Sequence, residues 1–191
     1  MSKSKARAGM VRIVGGRWRG TRLVVPDIDG LRPSADRVRE TLFNWLMPAL
    51  PGARVLDLFA GSGALGLESI SRGASSATLV ERDAHLVLGL RDVAGRLEGG
   101  QTAEIIQDDA LAWLPRAASE ARRYDIAYID PPFAGNLWAD AIAGVLPLMA
   151  DDAWLYVEAP VSAAIAMPAG WRLDREGSTR EVAYRLWRRG I

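Results

Sequence analysis

Val55-Leu-Asp-Leu-Phe-Ala-Gly-Ser-Gly-Ala-Leu-Gly66 decides the fold. An apolar run ends in an acid, breaks on Gly-Ser-Gly and continues into an amphipathic run. That pattern is a buried parallel strand, a tight loop and the first turn of a helix. Glycine lets the backbone approach a ligand closely, and a helix N-terminus offers unpaired N–H groups beside it. In doubly wound sheets such loops lie outside the carboxyl ends of the strands, where cofactors bind.

Two cofactors compete for the loop. Gly61, Gly63 and Gly66 spell G-x-G-x-x-G, and Glu81 follows Gly61 by twenty positions, at the end of a second apolar run. Taken literally, this is the dinucleotide fingerprint. The other candidate is S-adenosylmethionine (AdoMet), whose ammonium group Asp57 would serve directly or through water. Glu81 would accept from ribose hydroxyls in either case. An acid at Asp57 works against a pyrophosphate, because like charges repel beside a helix N-terminus. The balance favours AdoMet over a dinucleotide, and both over a purely structural turn.

The 191 residues make one domain, or a domain with an appendage, large enough for a single core. Hydrophobic residues at 49% and charged ones at 25% describe an ordinary globular chain. The absence of cysteine excludes disulfides, thiolate zinc sites and cysteine nucleophiles. A single histidine, His85, excludes multi-histidine metal sites, so no metal is expected. No apolar run approaches the roughly 20 residues of a membrane span, and Met1–Met10 lacks a signal peptide's apolar centre. A cytoplasmic protein without membrane contact is expected; the sequence leaves the oligomeric state open and favours a monomer.

The net charge of +1 hides an asymmetry. Residues 1–39 hold ten Lys/Arg against three Asp, a net of +7, which leaves −6 on the remainder. A basic arm on an acidic body suits a polyanionic partner, and a solvated tail is the bland alternative. Interleaving of the charges with apolar and glycine residues favours nucleic acid. Arg12, Arg17, Trp18, Arg19, Arg22, Arg37 and Arg39 are the candidate contacts. Trp18 either stacks on a base or covers the apolar face of its hairpin, and covering is the safer role.

Residues 1–10 read as a disordered tail. Val11–Val14 and Thr21–Val25 form a hairpin through Gly15–Gly20. Pro26–Pro33 is loop, and Ser34 caps a helix to about Leu46, with Val38, Leu42, Trp45 and Leu46 on one face. Strands then alternate with helices: Arg54–Phe59, Ala64–Arg72, Ala77–Val80, Asp83–Leu97, Ala103–Ile106, a helix interrupted by Pro115, Tyr124–Ile129, Trp138–Met149 and Trp154–Glu158. Trp171–Arg175 and Val182–Trp187 close as a hairpin. The sum is an α/β, Rossmann-like fold: a seven-stranded, mostly parallel sheet with an antiparallel last strand, plus an N-terminal β-hairpin and helix.

Asp130-Pro-Pro-Phe133 directly follows the strand at Tyr124–Ile129, on the same sheet edge as the Gly loop. As structure alone it is a rigid loop, because successive prolines fix φ and forbid helix. As chemistry it addresses an exocyclic amine, whose lone pair is delocalised into its ring. Asp130 Oδ and the Pro131 carbonyl can accept the amine's N–H bonds and aim the lone pair at a methyl group. Phe133 can stack on the base. Catalysis of this kind is mostly positioning, and it needs neither cysteine nor a second histidine.

Asp-Leu-Phe-Ala-Gly-Ser-Gly with Asp-Pro-Pro-Phe resembles a class I AdoMet-dependent methyltransferase of the amino-methylating type. Arg12–Gly20, Leu31–Leu46 and Ala183-Tyr-Arg-Leu186 narrow it: together they resemble the bacterial 16S ribosomal RNA guanine-N2 methyltransferase family, from Val11 to Trp187. The resemblance implies methylation of one guanine amine in 16S RNA, on an assembled or late-assembling small subunit. It divides the chain into an RNA-docking hairpin and helix at 11–50 and a methyltransferase domain at 51–191. It places Asp57, Phe59, Gly61 and Gly63 at AdoMet, Glu81 on the ribose, and Asp109 with the Ala110 backbone at the adenine, with Asp108 competing for that role. Ser178–Glu181 matches no assignable pattern.

Three other functions fit parts of the pattern. A dehydrogenase fails on length and leaves Asp-Pro-Pro-Phe without a role. A DNA adenine or cytosine amino-methyltransferase shares the motifs, but the chain has no room for the usual target-recognition domain. A non-catalytic ribosome-assembly factor needs only the basic arm, and leaves the acids Asp57, Glu81 and Asp130 at one sheet edge at a cost.

Overall fold

The structure, a computed structural model, describes residues 9–25 and 36–190. Most of the expected tail, the loop at Pro26–Pro33 and the cap at Ser34 lie outside them. Gly9 and Met10 belong to a strand.

Two short strands, β1 (Gly9–Arg12) and β2 (Arg22–Val25), pair antiparallel, and α1 (Asp36–Leu46) follows. Then come β3 (Arg54–Asp57), α2 (Ala64–Ser71), β4 (Ser76–Glu81), α3 (Ala84–Arg96), β5 (Ala103–Gln107), α4 (Ala110–Ser119), β6 (Tyr124–Ile129) and α5 (Trp138–Val145). The chain closes with β7 (Met149–Pro160), β8 (Trp171–Ser178) and β9 (Val182–Arg189). The large sheet has seven strands in the order β5-β4-β3-β6-β7-β9-β8, and β9 runs antiparallel to both its neighbours.

Alternate residues of the central strands feed two cores, as period-2 geometry requires when both faces are covered. Val55, Ile126, Tyr128 and Tyr156 join α1, α2 and Leu90 of α3 on one face. Leu56, Ala127, Ile129, Leu155 and Val157 join α4 and α5 on the other. The first core also takes in Val11, Ile13, Trp18 and Leu23, so apolar packing runs unbroken across residue 50.

Two expected boundaries are corrected. Pro115 does not interrupt its helix: α4 continues to Ser119. Only the bond to the Leu111 carbonyl is lost, while the Asp109 cap and buried Trp113, Leu114 and Ala117 hold the turns on both sides. The helix from Trp138 stops at Val145, gives way to a short turn at Leu146–Leu148 containing Pro147, and Met149 already opens β7. Ser178–Glu181 supplies the β8–β9 turn, in which the Val182 N–H donates to Thr179 Oγ1 at 3.1 Å.

Every residue of α2 is buried, including Glu68 and Ser71, because the N-terminal hairpin and α1 lie over it. Glu68 is fully buried and accepts from the Val14 N–H at 3.1 Å and from Arg72 Nε at 2.8 Å, with Arg39 Nη1 at 3.8 Å. Ser71 Oγ donates to the Gly15 carbonyl at 2.6 Å and accepts from the Trp18 N–H at 2.9 Å. Removing one partner from a buried charge cluster costs about 3–5 kcal/mol, because it strands the other charge. Glu68→Ala is therefore expected to lower unfolding free energy by that order in urea titrations, far more than Asp92→Ala, which breaks only the exposed Arg96 pair.

Candidate cofactor and active site

Four parallel strands end side by side, and each delivers an acid: Asp57 on β3, Glu81 on β4, Asp130 after β6 and Glu158 near the end of β7. The loop after β3 first continues both ladders, with the Leu58 N–H donating to the Tyr128 carbonyl and the Ala60 N–H to the Val80 carbonyl. Phe59, half-buried between them, packs on the second core. Gly61 and Gly63 then turn with φ of 54° and 75°. A Cβ on Gly63 would sit 2.3 Å from Leu90 Cδ2, so a side chain here would have to displace that leucine as well as adopt a left-handed backbone.

Both acids beside this loop brace it. Asp57 Oδ2 accepts from the Gly66 N–H at 2.9 Å, at the first turn of α2. Glu81 Oε2 accepts from the Gly61 N–H at 2.9 Å and Oε1 from the Asp83 N–H at 2.8 Å, joining the Gly loop to the start of α3. Asp57 is buried, and that burial pushes its carboxyl up to about 7; the Gly66 bond opposes the shift and the Glu81 charge adds to it.

The next strand end presents Asp108 and Asp109. The Asp108 N–H donates to the Glu81 carbonyl at 3.0 Å, and its carboxylate pairs with Arg116. Asp109 caps α4, with Oδ1 accepting from Leu111 and Ala112 at 3.0 and 3.1 Å, and Ala110 is buried beneath. Both acids thus have structural employment. After β6, Asp130 is half-buried, Pro131 is buried and Phe133 is 37% exposed, its ring centroid 6.0 Å from that of Trp138.

The basic residues separate into groups. Arg39 is not at a surface: at 1% exposure it donates to the Arg12 carbonyl at 3.0 Å and pairs with Asp36 at 2.5 Å, because its helix turns that face onto buried Glu68. Trp18 is also withdrawn, 5% exposed, with its indole N–H donating to the Glu98 carbonyl at 3.1 Å. Its covering role is the one the structure shows. Arg17 and Arg19 are exposed at the hairpin tip, which lies against Ser71 and Glu98 at the C-terminal ends of α2 and α3. The tip therefore sits at the opposite sheet edge from the Gly loop; α2 alone spans about 12 Å at 1.5 Å per residue. Exposed Arg22 lines a groove between β2 and α3 that also includes Ser62 of the Gly loop and His85. Arg12 and Arg37 are exposed as well.

Glu158 escaped the sequence reading, although Trp154-Leu-Tyr-Val-Glu158 repeats the signal of an apolar run ending in an acid. Tyr128 and Tyr156 were missed too; they sit beneath the acids with ring centroids 6.1 Å apart, edge to face.

A seven-stranded sheet of this order, with its antiparallel β9 and its acids gathered around a Gly loop, defines a Rossmann-like methyltransferase fold. Residues 11–188 match the family model described as "Conserved hypothetical protein 95". Ribosomal RNA small subunit methyltransferase D of Escherichia coli is 44% identical over 95% of this chain and 91% of its own length. Its Haemophilus influenzae counterpart is 39% identical over 94% of each chain. The solved structure of yhhF from Escherichia coli superposes with a TM-score of 0.84 at 42% identity, covering 95% of this chain and 99% of that one. The chain belongs to this family.

Because the Asp57 carboxyl titrates higher in the fold than its ordinary value of 3.8, folding favours its protonated form. The penalty for ionising it is absent well below pH 4, grows between pH 4 and about 7, and is complete above that. Asp57→Asn keeps an acceptor for Gly66 and removes the charge. In the ligand-free protein it is expected to match the parent's stability near pH 4 and exceed it at pH 8, as urea titrations at the two pH values will read.

Proposed function

We propose that the protein transfers a methyl group from AdoMet to the exocyclic N2 amine of a guanine in 16S ribosomal RNA, on an assembled or late-assembling small subunit in the cytoplasm. The observation that carries this reading is the placement of Asp130-Pro-Pro-Phe133 directly after β6, the strand adjoining Asp57 and its Gly loop. The names of the relatives support ribosomal RNA as the substrate.

AdoMet is the cofactor, and the residues present suit it. Asp57 would hold the ammonium group, Gly61 and Gly63 leave room for the methionine portion, and Glu81 would accept from the ribose. Asp109 and the Ala110 backbone would meet the adenine. When bound, AdoMet supplies an electrophilic methyl whose leaving group departs as a neutral thioether. Asp130 and the Pro131 carbonyl accept from the target amine and turn its lone pair toward that methyl. Asp130 is also placed to receive the proton the nitrogen sheds afterwards. Phe133, at the rim, stacks on a base drawn out of the RNA.

Loss of a charge-assisted hydrogen bond costs ~1.5–3 kcal/mol, about ten- to a hundredfold in affinity. Glu81→Gln retains an acceptor for the loop and is expected to weaken AdoMet binding within that range by calorimetry; unchanged affinity would sink the ribose assignment. Asp130→Ala is expected to lose most of kcat on small subunits while its AdoMet affinity holds. Transfer at the parental rate would remove Asp130 from the chemistry.

The exposed arginines are proposed to meet phosphates, Arg22 along the groove leading to Ser62, and Arg17 and Arg19 farther out. Each phosphate neutralised contributes roughly −0.7 to −0.9 to the slope of log K against log salt. Replacing Arg17 and Arg19 by alanine is expected to flatten that slope for subunit binding and leave AdoMet binding unchanged. Parallel lines for parent and variant would show that these arginines touch no phosphate.

A further inference from the structure

The groove between β2 and α3 runs from Ser62 in the Gly loop to Arg96 at the end of α3 and encloses about 150 Å³. His85, Gly89, Asp92 and Arg96 form one wall, at the i, i+4, i+7 and i+11 positions of a single helix face. From His85 to Arg96 that wall is about 16 Å long at 1.5 Å per residue. Arg22 stands on the opposite wall, and buried Leu23 and Leu90 make the floor. Beyond Arg96 lies the hairpin tip, where Arg17 Nη2 is 3.0 Å from the point a Cβ on Gly99 would take. The groove thus links the tip at one sheet edge to the Gly loop at the other.

Its charge suits a polyanion. Residues 9–25 contain Arg12, Arg17, Arg19 and Arg22 and no acid, and 84–96 add Arg91 and Arg96 against Asp92 alone. Six arginines against one acid is +5, on a chain whose total is +1. All six are exposed. Asp92 pairs with Arg96 at 2.7 Å, but both side chains are about two-thirds exposed, and such pairs hold each other weakly.

Gly89 lies in the middle of the wall, within the helix, and a Cβ there would meet nothing within 4 Å. Glycine is the poorest helix former apart from proline, so the fold gains nothing from it at this position. Gly63 is the contrast, since there the backbone conformation itself calls for glycine. What Gly89 provides is bare helix backbone halfway along the groove, over which another chain can pass closely.

We propose that this groove carries one strand of the substrate RNA by its sugar–phosphate backbone, with α3 as the second wall of the dock and Gly89 as the point of closest passage. Such contacts position the RNA and carry no base choice, which stays with the catalytic edge. The proposal rests on the ribosomal RNA reading given above and extends it from the hairpin arginines to a helix that reading does not use.

Gly89→Gln and Gly89→Glu fill the groove with good helix formers, one neutral and one anionic. Both are expected to keep or raise the urea midpoint and to leave AdoMet affinity unchanged. Affinity for small subunits is expected to fall for glutamine and to fall further, at least about tenfold, for glutamate, which sets a carboxylate against phosphate. Arg22→Ala is expected to flatten the slope of log K against log salt by roughly 0.7, the single-strand value. Parental subunit affinity in Gly89→Glu overturns the proposal. A second measurement does not depend on filling the groove. The chain has no cysteine, so Leu88→Cys, at a position 62% exposed beside Gly89, supplies a single thiol for an iron–EDTA tether. Hydroxyl radicals released there in the full-length protein bound to small subunits are expected to cut 16S RNA on the strand flanking the methylated nucleotide, located by nucleoside mass analysis. Cuts confined to a ribosomal protein, or none above an untethered control, overturn RNA as the occupant. A parent that binds no small subunit would instead bring down the ribosomal RNA reading, and the groove's assignment with it.

Discussion

A single carboxylate with no access to water holds the two ends of this architecture together. Glu68 sits midway along α2 and binds Val14 of the hairpin, Arg72 at the C-cap of its own helix and Arg39 of α1. Without those donors α2 could not lie fully buried, and without the arm its polar face would have to meet solvent. The basic N-terminal segment is therefore part of the hydrophobic body. Its exposed arginines ride on a frame fixed from inside.

The same economy governs the sheet edge. Asp57 and Glu81 each spend an oxygen on the Gly loop, so the residues that would grip a cofactor also hold its cradle in shape. Tyr128 and Tyr156 form a floor below them, with the Tyr128 hydroxyl 2.8 Å from Ser69 Oγ and the Tyr156 hydroxyl on Glu158. Rigid positioning is what a reaction without covalent catalysis demands.

Much of this was legible because parallel strands buried on both faces read as plain apolar runs, and Gly61, Gly63 and Asp130-Pro-Pro mark where such runs stop. Tyr124–Ile129 agrees with its expected bounds. The failures have physical origins. Pro115 looked like a break because its missing N–H is visible in sequence and the compensating burial of Trp113 and Ala117 is not. Arg39 looked like a phosphate contact because a cation in a basic stretch does not announce that a distant Glu68 will enclose it. The position of the hairpin tip was not legible, because chain proximity to β3 does not tell which end of α2 the tip meets. Glu158 was overlooked because its partner Tyr156 and its neighbour Asp130 meet it only through strand register.

The outermost strand on the β9 side has a consequence for how copies of the chain meet. Among the described residues, β8 leaves one row of backbone groups without a ladder partner, an invitation to cross-molecule pairing in any β protein. Here the row is guarded: Arg172, Asp174, Arg175 and Glu176 crowd the strand, and its register with β9 slips between Leu173 and Arg175. Charges of both signs and a local kink deny an incoming strand a flat, neutral template, which protects the molecule against edge-to-edge aggregation at the crowded concentrations of a growing cell.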